Sequence, residues 1–230
     1  ADSVTNAGRW ETAGDSNFAE GEDELINAPG GLIAAGGTAG VADETQFLGL
    51  ERFANAGTIS MVDQNGFDGS SAPDHLIVSG DYEGRDGTLA LDVSLSGVKS
   101  AADVLTVEGS TSGTTSIILN QTQPGAGAPD PNGTLLVEVK GDSEAGNFTL
   151  KDGPINSGLY LYDLIYDTGD AGAQFLLVGL PGQGSVELPA VVSGAQNIFF
   201  DTSQNWVDRQ NQLRDRQSRR NIVVAVADPP

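Results

Sequence analysis

The feature that most restricts the fold is internal repetition. A glycine leading into a short run with apolar members recurs as Gly8-Arg9-Trp10, Gly31-Leu32-Ile33, Gly57-Thr58-Ile59, Gly87-Thr88-Leu89 and Gly133-Thr134-Leu135, and Gly113-Thr114-Thr115 opens a related strand. Successive spacings of these six glycines are 23, 26, 30, 26 and 20 residues. Asn6-Ala7-Gly8 and Asn55-Ala56-Gly57 share a longer stem, and Asp-x-Leu-x-Val-x-Gly repeats in a second register at Asp74 to Gly80 and Asp103 to Gly109. A period of roughly 20–30 residues is that of one coil of a parallel β-solenoid, whose strand edges stay open until the next coil stacks on them. Alternating runs at Thr88 to Val93, Leu105 to Val107, Ser116 to Leu119, Leu135 to Val139 and Phe148 to Leu150 read as strands with one buried face, with Gly, Asn and Asp at the φ > 0 corners. A β-sandwich also has short, regularly spaced strands, but they have no reason to repeat sequence, so the solenoid is the preferred reading.

Composition agrees with a turn-rich fold. Glycine supplies 31 of 230 residues, and 38% hydrophobic content is enough for a continuous core. The net charge of −21 repels phosphate backbones and anionic headgroups, so nucleic acid is a poor partner. Residues 1–200 hold 6 basic and 28 acidic groups, and 201–230 hold 5 and 4. The absence of cysteine excludes disulfides, thiolate zinc sites and cysteine nucleophiles. No stretch approaches the roughly 20 apolar residues of a membrane helix, and Ala1-Asp2-Ser3-Val4 is no signal peptide, so any export signal is expected outside this sequence.

The C-terminal half changes character twice. Gln121 to Asn132 carries turn formers without apolar periodicity and is expected to protrude as a loop between coils. Leu159 to Tyr166 is the densest aromatic segment and pairs naturally with Gln174 to Val178 as a hairpin. A terminal coil needs a cover for its core and a block for its edge, and this hairpin is placed to supply both. Asp201 to Arg220 is predicted to be a short helix, capped by Asp201 with Gln204 three residues on. Its apolar face is thin: positions 206, 210, 213 and 217 hold Trp, Gln, Leu and Gln, and Arg209, Arg214, Arg216, Arg219 and Arg220 gather at its end. Such a helix needs a polar enclosure or water.

Phe53-Ala54-Asn55-Ala56-Gly57-Thr58-Ile59, Gly80-Asp81-Tyr82 leading to Gly87-Thr88-Leu89-Ala90-Leu91-Asp92, Asp103 to Gly109, Ser112-Gly113-Thr114-Thr115 and Gly158-Leu159-Tyr160-Leu161-Tyr162 together resemble the C-terminal passenger region of pertactin-like autotransporters of type V secretion. The match covers roughly residues 50 to 220. The resemblance implies an all-β chain: a right-handed single-stranded parallel β-helix with a β-hairpin cap and a short terminal α-helix, displayed on a Gram-negative cell surface. It divides the chain into passenger coils over 1–120, C-terminal coils with an autochaperone-like cap over 121–200, a linker helix over 201–220 and a tail over 221–230. Leu159, Tyr160, Tyr162, Leu164 and Phe175 become folding-cap positions. Trp206, Arg209, Leu213, Arg214 and Arg216 become the helix lying in the pore of the chain's own translocator β-barrel, a polar lumen. That barrel and the rest of the passenger are expected outside this sequence, and a host-surface or sister-cell ligand is a further implied partner.

The remaining chemistry reads as structural. His75 sits beside Asp74, but the repeated copy has Val104 there, and no Gly-x-Ser-x-Gly elbow accompanies it, so no catalytic residue is assigned. Glu20 to Glu24 and Asp63 to Asp74 are acidic enough to suggest calcium, yet neither has EF-hand spacing nor tandem glycine-rich nonapeptides, so solvated turn charge is preferred. No metal or cofactor is expected. Asn120, Asn132 and Asn147 head Asn-x-Thr triplets, read as asparagine stacking or turn capping, and Gly36-Gly37 and Gly179 to Gly184 read as loops. An adhesin or self-association surface is the second function class. A carbohydrate-active β-helix enzyme is the third, disfavoured by the scarcity of basic groups before residue 201.

Overall fold

The computed structural model describes residues 2–19, 21–36, 44–63, 73–95, 100–122, 125, 127–169 and 172–226. The glycine repeat has a steric cause that the sequence hides. A Cβ on Gly31 would lie 2.5 Å from Asn27 Oδ1, one on Gly57 2.7 Å from Asn27 Nδ2, and one on Gly87 2.5 Å from Asn55 Nδ2. Glycine recurs there because the side chains of Asn27 and Asn55, together with the carbonyl oxygens of Asn6, Gly31 and Asn55, occupy the space, not because the backbone is left-handed.

Coils follow from that contact. β1 (Ser3–Asn6), β2 (Arg9–Thr12) and β3 (Gly14–Asn17) form one coil, and β4 (Glu24–Asn27), β5 (Leu32–Ala35) and β6 (Glu44–Leu48) the next. β7 (Arg52–Asn55), β8 (Thr58–Ser60) and β9 (His75–Val78) follow, then β10 (Asp81–Ser94), β11 (Ala101–Ala102) and β12 (Val104–Val107), then β13 (Thr111–Gln121) and β14 (Asp130–Val139). Every coil pairs in parallel with the next. On the first face Val4, Leu25, Phe53, Tyr82 and Thr111 stand in register. Trp10, Ile33, Ile59, Leu89, Ile117 and Leu150 do so on the second, the last in β15 (Phe148–Leu150). Ser16, Phe47, Val78, Val107 and Val139 form the third. β10 and β13 turn from the first face to the second without a break, β10 with a register shift between Arg85 and Gly87. This is a parallel β-helix.

The second repeat register stacks as the sequence predicts: His75 pairs with Val104, and Gly109 N–H bonds Gly80 O at 3.3 Å. The glycine series is more restricted than expected. Thr58, Thr88 and Leu32 share one register, so Gly31, Gly57 and Gly87 form one column with Gly8. Gly113 instead stacks on Gly84, and Gly133 lies in β14 on the third face. Shared sequence there reflects three different places in the fold rather than one.

Stacking changes direction at the C-terminal end. β14 pairs antiparallel with β18 (Gly172–Pro181), which pairs antiparallel with β17 (Tyr160–Gly169), and β16 (Ile155–Ser157) closes against β17. The expected hairpin is present, with Tyr166 opposite Phe175. Two boundaries differ from the sequence reading. The contacts divide the chain between Gly182 and Gln183, and one helix, α1, spans Gln183–Val226 in place of a short helix starting at Asp201. Asp201 is therefore not a cap, residues 183–200 belong to no coil, and Asn221 to Val226 are helix rather than tail. Val192, Phe199, Trp206 and Leu213 recur every seven residues, so the helical period runs upstream past Gly194 to Val192, and α1 continues from there to Gln183 despite the cost of Pro189. Gly179 to Gly184 is correspondingly the end of β18 and the start of α1, not a loop. Among the described residues no helix is long and apolar enough to cross a membrane.

Candidate functional site: the capped end of the coil stack

Two buried columns run along the coils toward the hairpin. The first is aromatic. Trp10 stacks on Phe47 at 5.8 Å, Phe47 meets Phe53 edge-on at 5.8 Å, and Phe53 meets Tyr82 at 5.5 Å. Tyr82 stacks on Phe148 at 5.7 Å, Phe148 meets Phe175 at 4.9 Å, and Phe175 contacts Tyr166 at 5.1 Å. Ring contacts of this kind add about 0.5–1.5 kcal/mol each beyond burial. The chain of rings joins the first coil to the cap.

The second column is polar. Asn6 Nδ2 donates to Asn27 Oδ1 at 2.9 Å, Asn27 Nδ2 to Asn55 Oδ1 at 2.8 Å, and Asn55 Nδ2 to the Tyr82 hydroxyl at 3.1 Å. That hydroxyl is 2.9 Å from Thr115 Oγ1, and Thr115 N–H bonds Asn147 O at 2.8 Å. Asn147 is buried, accepts from Thr111 Oγ1 at 3.0 Å and donates to Gly113 O at 2.9 Å. Of the two uses expected for it, stacking or turn capping, the structure has the second, with Oδ1 accepting from Glu144 N–H at 2.7 Å. Neither Tyr82, within the Gly80-Asp81-Tyr82 motif, nor Phe148, heading a predicted strand, has a column role in the sequence reading, and Asn27 does not enter it, although Phe53 and Tyr82 each lead into a repeat glycine.

Tyr162 locks the hairpin down. The side chain is fully buried, and its hydroxyl accepts from Ala128 N–H at 2.8 Å and donates to Ala128 O at 2.6 Å, with Leu95 O 3.3 Å away. A Cβ on Gly127 would collide with Ser157 O and lie 3.3 Å from the Tyr160 ring. The described part of the 121–132 segment is thus packed against the cap rather than protruding. Of the five predicted cap residues, Tyr162 in β17 and Phe175 in β18 are fully buried, Tyr160 and Leu164 on the same face of β17 pack on the core edge, and Leu159, in the preceding turn, is 41% exposed. Trp206, Arg209, Leu213, Arg214 and Arg216 are all exposed along α1, Trp206 at 64%.

Charge gathers at one buried corner. Asp103 accepts from Asp74 N–H at 3.0 Å and Asp92 N–H at 2.7 Å, and Asp92 accepts from Asn120 Nδ2 at 2.5 Å. Burial pushes the Asp103 carboxyl up to about 8, against those two donors and helped by the nearby Asp74 and Asp92 charges. His75 lies on the outer surface, Nε2 2.8 Å from Thr106 Oγ1 and Nδ1 3.8 Å from Glu44. The acidic runs suggested for calcium fall partly outside the described residues.

The family model described as Autochaperone Domain Type 1 matches residues 50–164, half of the chain. The chain belongs to the autochaperone family of autotransporter passengers. The matched span of this autochaperone chain opens just before β7 and closes within β17, so it contains the aromatic column from Phe53 to Phe148 and the Tyr162 lock. Over 120 residues it is 37% identical to the "Probable autotransporter YfaL" of Escherichia coli K12, covering 50% of this chain and 9% of that protein. It is 31% identical to the "Adhesin BmaC autotransporter" of Brucella suis biovar 1 over 194 residues, 81% of this chain and 5% of that one. It is 38% identical to the "Uncharacterized protein YdeU" of E. coli K12 over 95 residues, 41% of this chain and 20% of the relative. The autochaperone chain spans a fifth or less of each of these relatives.

Proposed function

We propose that this passenger segment nucleates β-helix folding at its C-terminal end and so supports secretion across the outer membrane of a Gram-negative cell and display on its surface. The observation that carries the reading is the hairpin of β17 and β18, because it turns the parallel ladder of the third face antiparallel at β14 and so ends the stacking of coils there. Once the cap forms, each coil adds to an existing edge, which avoids a fresh nucleation cost. Folding free energy then helps draw the chain outward, and the acidic excess delays collapse before export. In this reading Tyr160, Tyr162, Leu164 and Phe175 act in the nucleus, and Leu159 contributes little.

The polar, arginine-bearing stretch of α1 around Trp206, Arg209, Leu213, Arg214 and Arg216 suits the lumen of the chain's own translocator barrel. The reading is non-enzymatic, since His75 faces outward on the solenoid beside Thr106 and Glu44. Surface adhesion is the second reading, favoured by the adhesin named above, which matches 81% of the chain. The test is display of the full-length autotransporter carrying Tyr162→Ala with Phe175→Ala, scored by surface labelling and protease resistance. Both should fall sharply while Leu159→Ser leaves them near wild type. Unchanged display and resistance in the double variant would overturn the nucleation role.

A further inference from the structure

The sheet of the third face ends on a half-open edge. β16 covers β17 only from Tyr160 to Tyr162, and from Asp163 to Gly169 β18 is the sole partner of β17 among the described residues. Gly182 N–H bonds Leu159 O at 2.8 Å, which makes the odd-numbered residues of β17 the ones bonded to β18. Leu164, Tyr166 and Thr168 therefore direct N–H and C=O to the open side. Asp163 Oδ1 holds the Leu164 N–H at 2.8 Å, and among the described residues no hydrogen bond reaches the open-side backbone groups of Tyr166 or Thr168. The outer face of this stretch carries Asp163, Ile165 and Asp167, all exposed, with Ile165 at 46%. Across the ladder they meet Val178, Leu176 and Gln174, so no cation stands opposite either carboxylate, and neither forms an ion pair among the described residues. On the inner face Leu164 and Tyr166 are only partly buried.

We propose that this edge takes up an antiparallel peptide strand from another protein, with two basic side chains four residues apart and an aliphatic one midway between them. Unpaired edge groups are a template for an added strand, and backbone bonds to Leu164 and Tyr166 continue the sheet. The basic side chains then lie beside Asp163 and Asp167, the aliphatic one covers Ile165, and the two residues between them pack on Leu164 and Tyr166. Charge selects the occupant. Two copies of this chain pairing about Ile165 would set Asp163 against Asp167 twice, so a second copy is the wrong partner. Each opposite-charge pair across a ladder raises affinity about 1.4- to fivefold.

The full 230-residue chain is titrated with the end-capped peptide Lys-Leu-Val-Leu-Lys and with versions carrying glutamine or glutamate in place of both lysines. The lysine peptide should bind about 2- to 25-fold more tightly than the glutamine one and slow hydrogen exchange at the Tyr166 amide. N-methylation of its two leucines, whose amides face β17 in this register, should abolish binding, whereas N-methylation of its valine should not. Asp163→Lys with Asp167→Lys, both at exposed positions, should reverse the preference to the glutamate peptide. No saturation by about 1 mM lysine peptide would overturn the proposal. So would equal binding of a permuted peptide with adjacent lysines, or a preference unmoved by the charge reversal, since either is diffuse attraction to an acidic chain. Tyr166 amide protection that rises with protein concentration in the absence of peptide would assign the edge to a second copy instead.

Discussion

Tyr82→Phe isolates the polar column from the aromatic one. The ring keeps its contacts with Phe53 at 5.5 Å and Phe148 at 5.7 Å, so burial and stacking are conserved. What disappears is the hydroxyl between Asn55 Nδ2 and Thr115 Oγ1, in a side chain only 1% exposed. The asparagine donor and the threonine hydroxyl are both buried, and leaving each without its partner costs about 1–3 kcal/mol. Asn55 stays anchored through Oδ1 to Asn27, and Thr115 through its backbone to Asn147, which holds the expected total to about 2–4 kcal/mol. Urea unfolding followed by far-ultraviolet circular dichroism measures this as a lower midpoint at unchanged slope. A change below about 0.5 kcal/mol would mean that the column does not bind coil to coil, since that is the scatter of ordinary surface substitutions.

Gly87→Ala places a methyl group 2.5 Å from Asn55 Nδ2 and should cost about 1–3 kcal/mol, partly recovered by adding Asn55→Ala; non-additivity in the double-mutant cycle is the readout. Asp103 has a folded-state pKa of about 8 against 3.8, so the folded state holds its proton more tightly. That stabilisation is full below about pH 4 and is lost as pH rises toward 8, at up to about 1.4 kcal/mol per unit. Asp103→Asn should flatten this part of the pH–stability curve, and an unchanged slope would refute the assignment. Leu159→Ser should stay within about 0.5 kcal/mol of wild type, whereas Tyr162→Ala should lose about 3–5 kcal/mol, by the same unfolding assay.

Repetition made the coils legible, because the close approach of asparagine side chains and carbonyl oxygens to glycine must recur wherever coils stack alike. The hairpin was legible because β-prone aromatics and a short turn are local signals. The lining of the interior was not. Asn55, Tyr82 and Thr115 occupy successive places in one column with three different side chains, and only space relates them. Along β17 apolar residues fall on both faces, Tyr162 inside and Leu161 and Ile165 outside, so alternation alone did not show that the tyrosines face the core. The start of α1 was hidden by Pro189 and Gly194, which oppose helix locally; the seven-residue series from Val192 to Leu213 carries the helical period across Gly194 but begins only after Pro189.

Directional stability from the cap is the central claim, and native-state hydrogen exchange on two variants tests it most directly. Phe47 and Tyr162 are both fully buried, the first in β6 and the second in the cap, and truncating either to alanine costs about 3–5 kcal/mol. Tyr162→Ala is predicted to lower amide protection in every coil back to β4, whereas Phe47→Ala lowers it only from β1 to β9 and leaves β12, β14 and β18 near wild type. Loss that spreads equally far from both sites, or farther from Phe47, would contradict folding from the capped end.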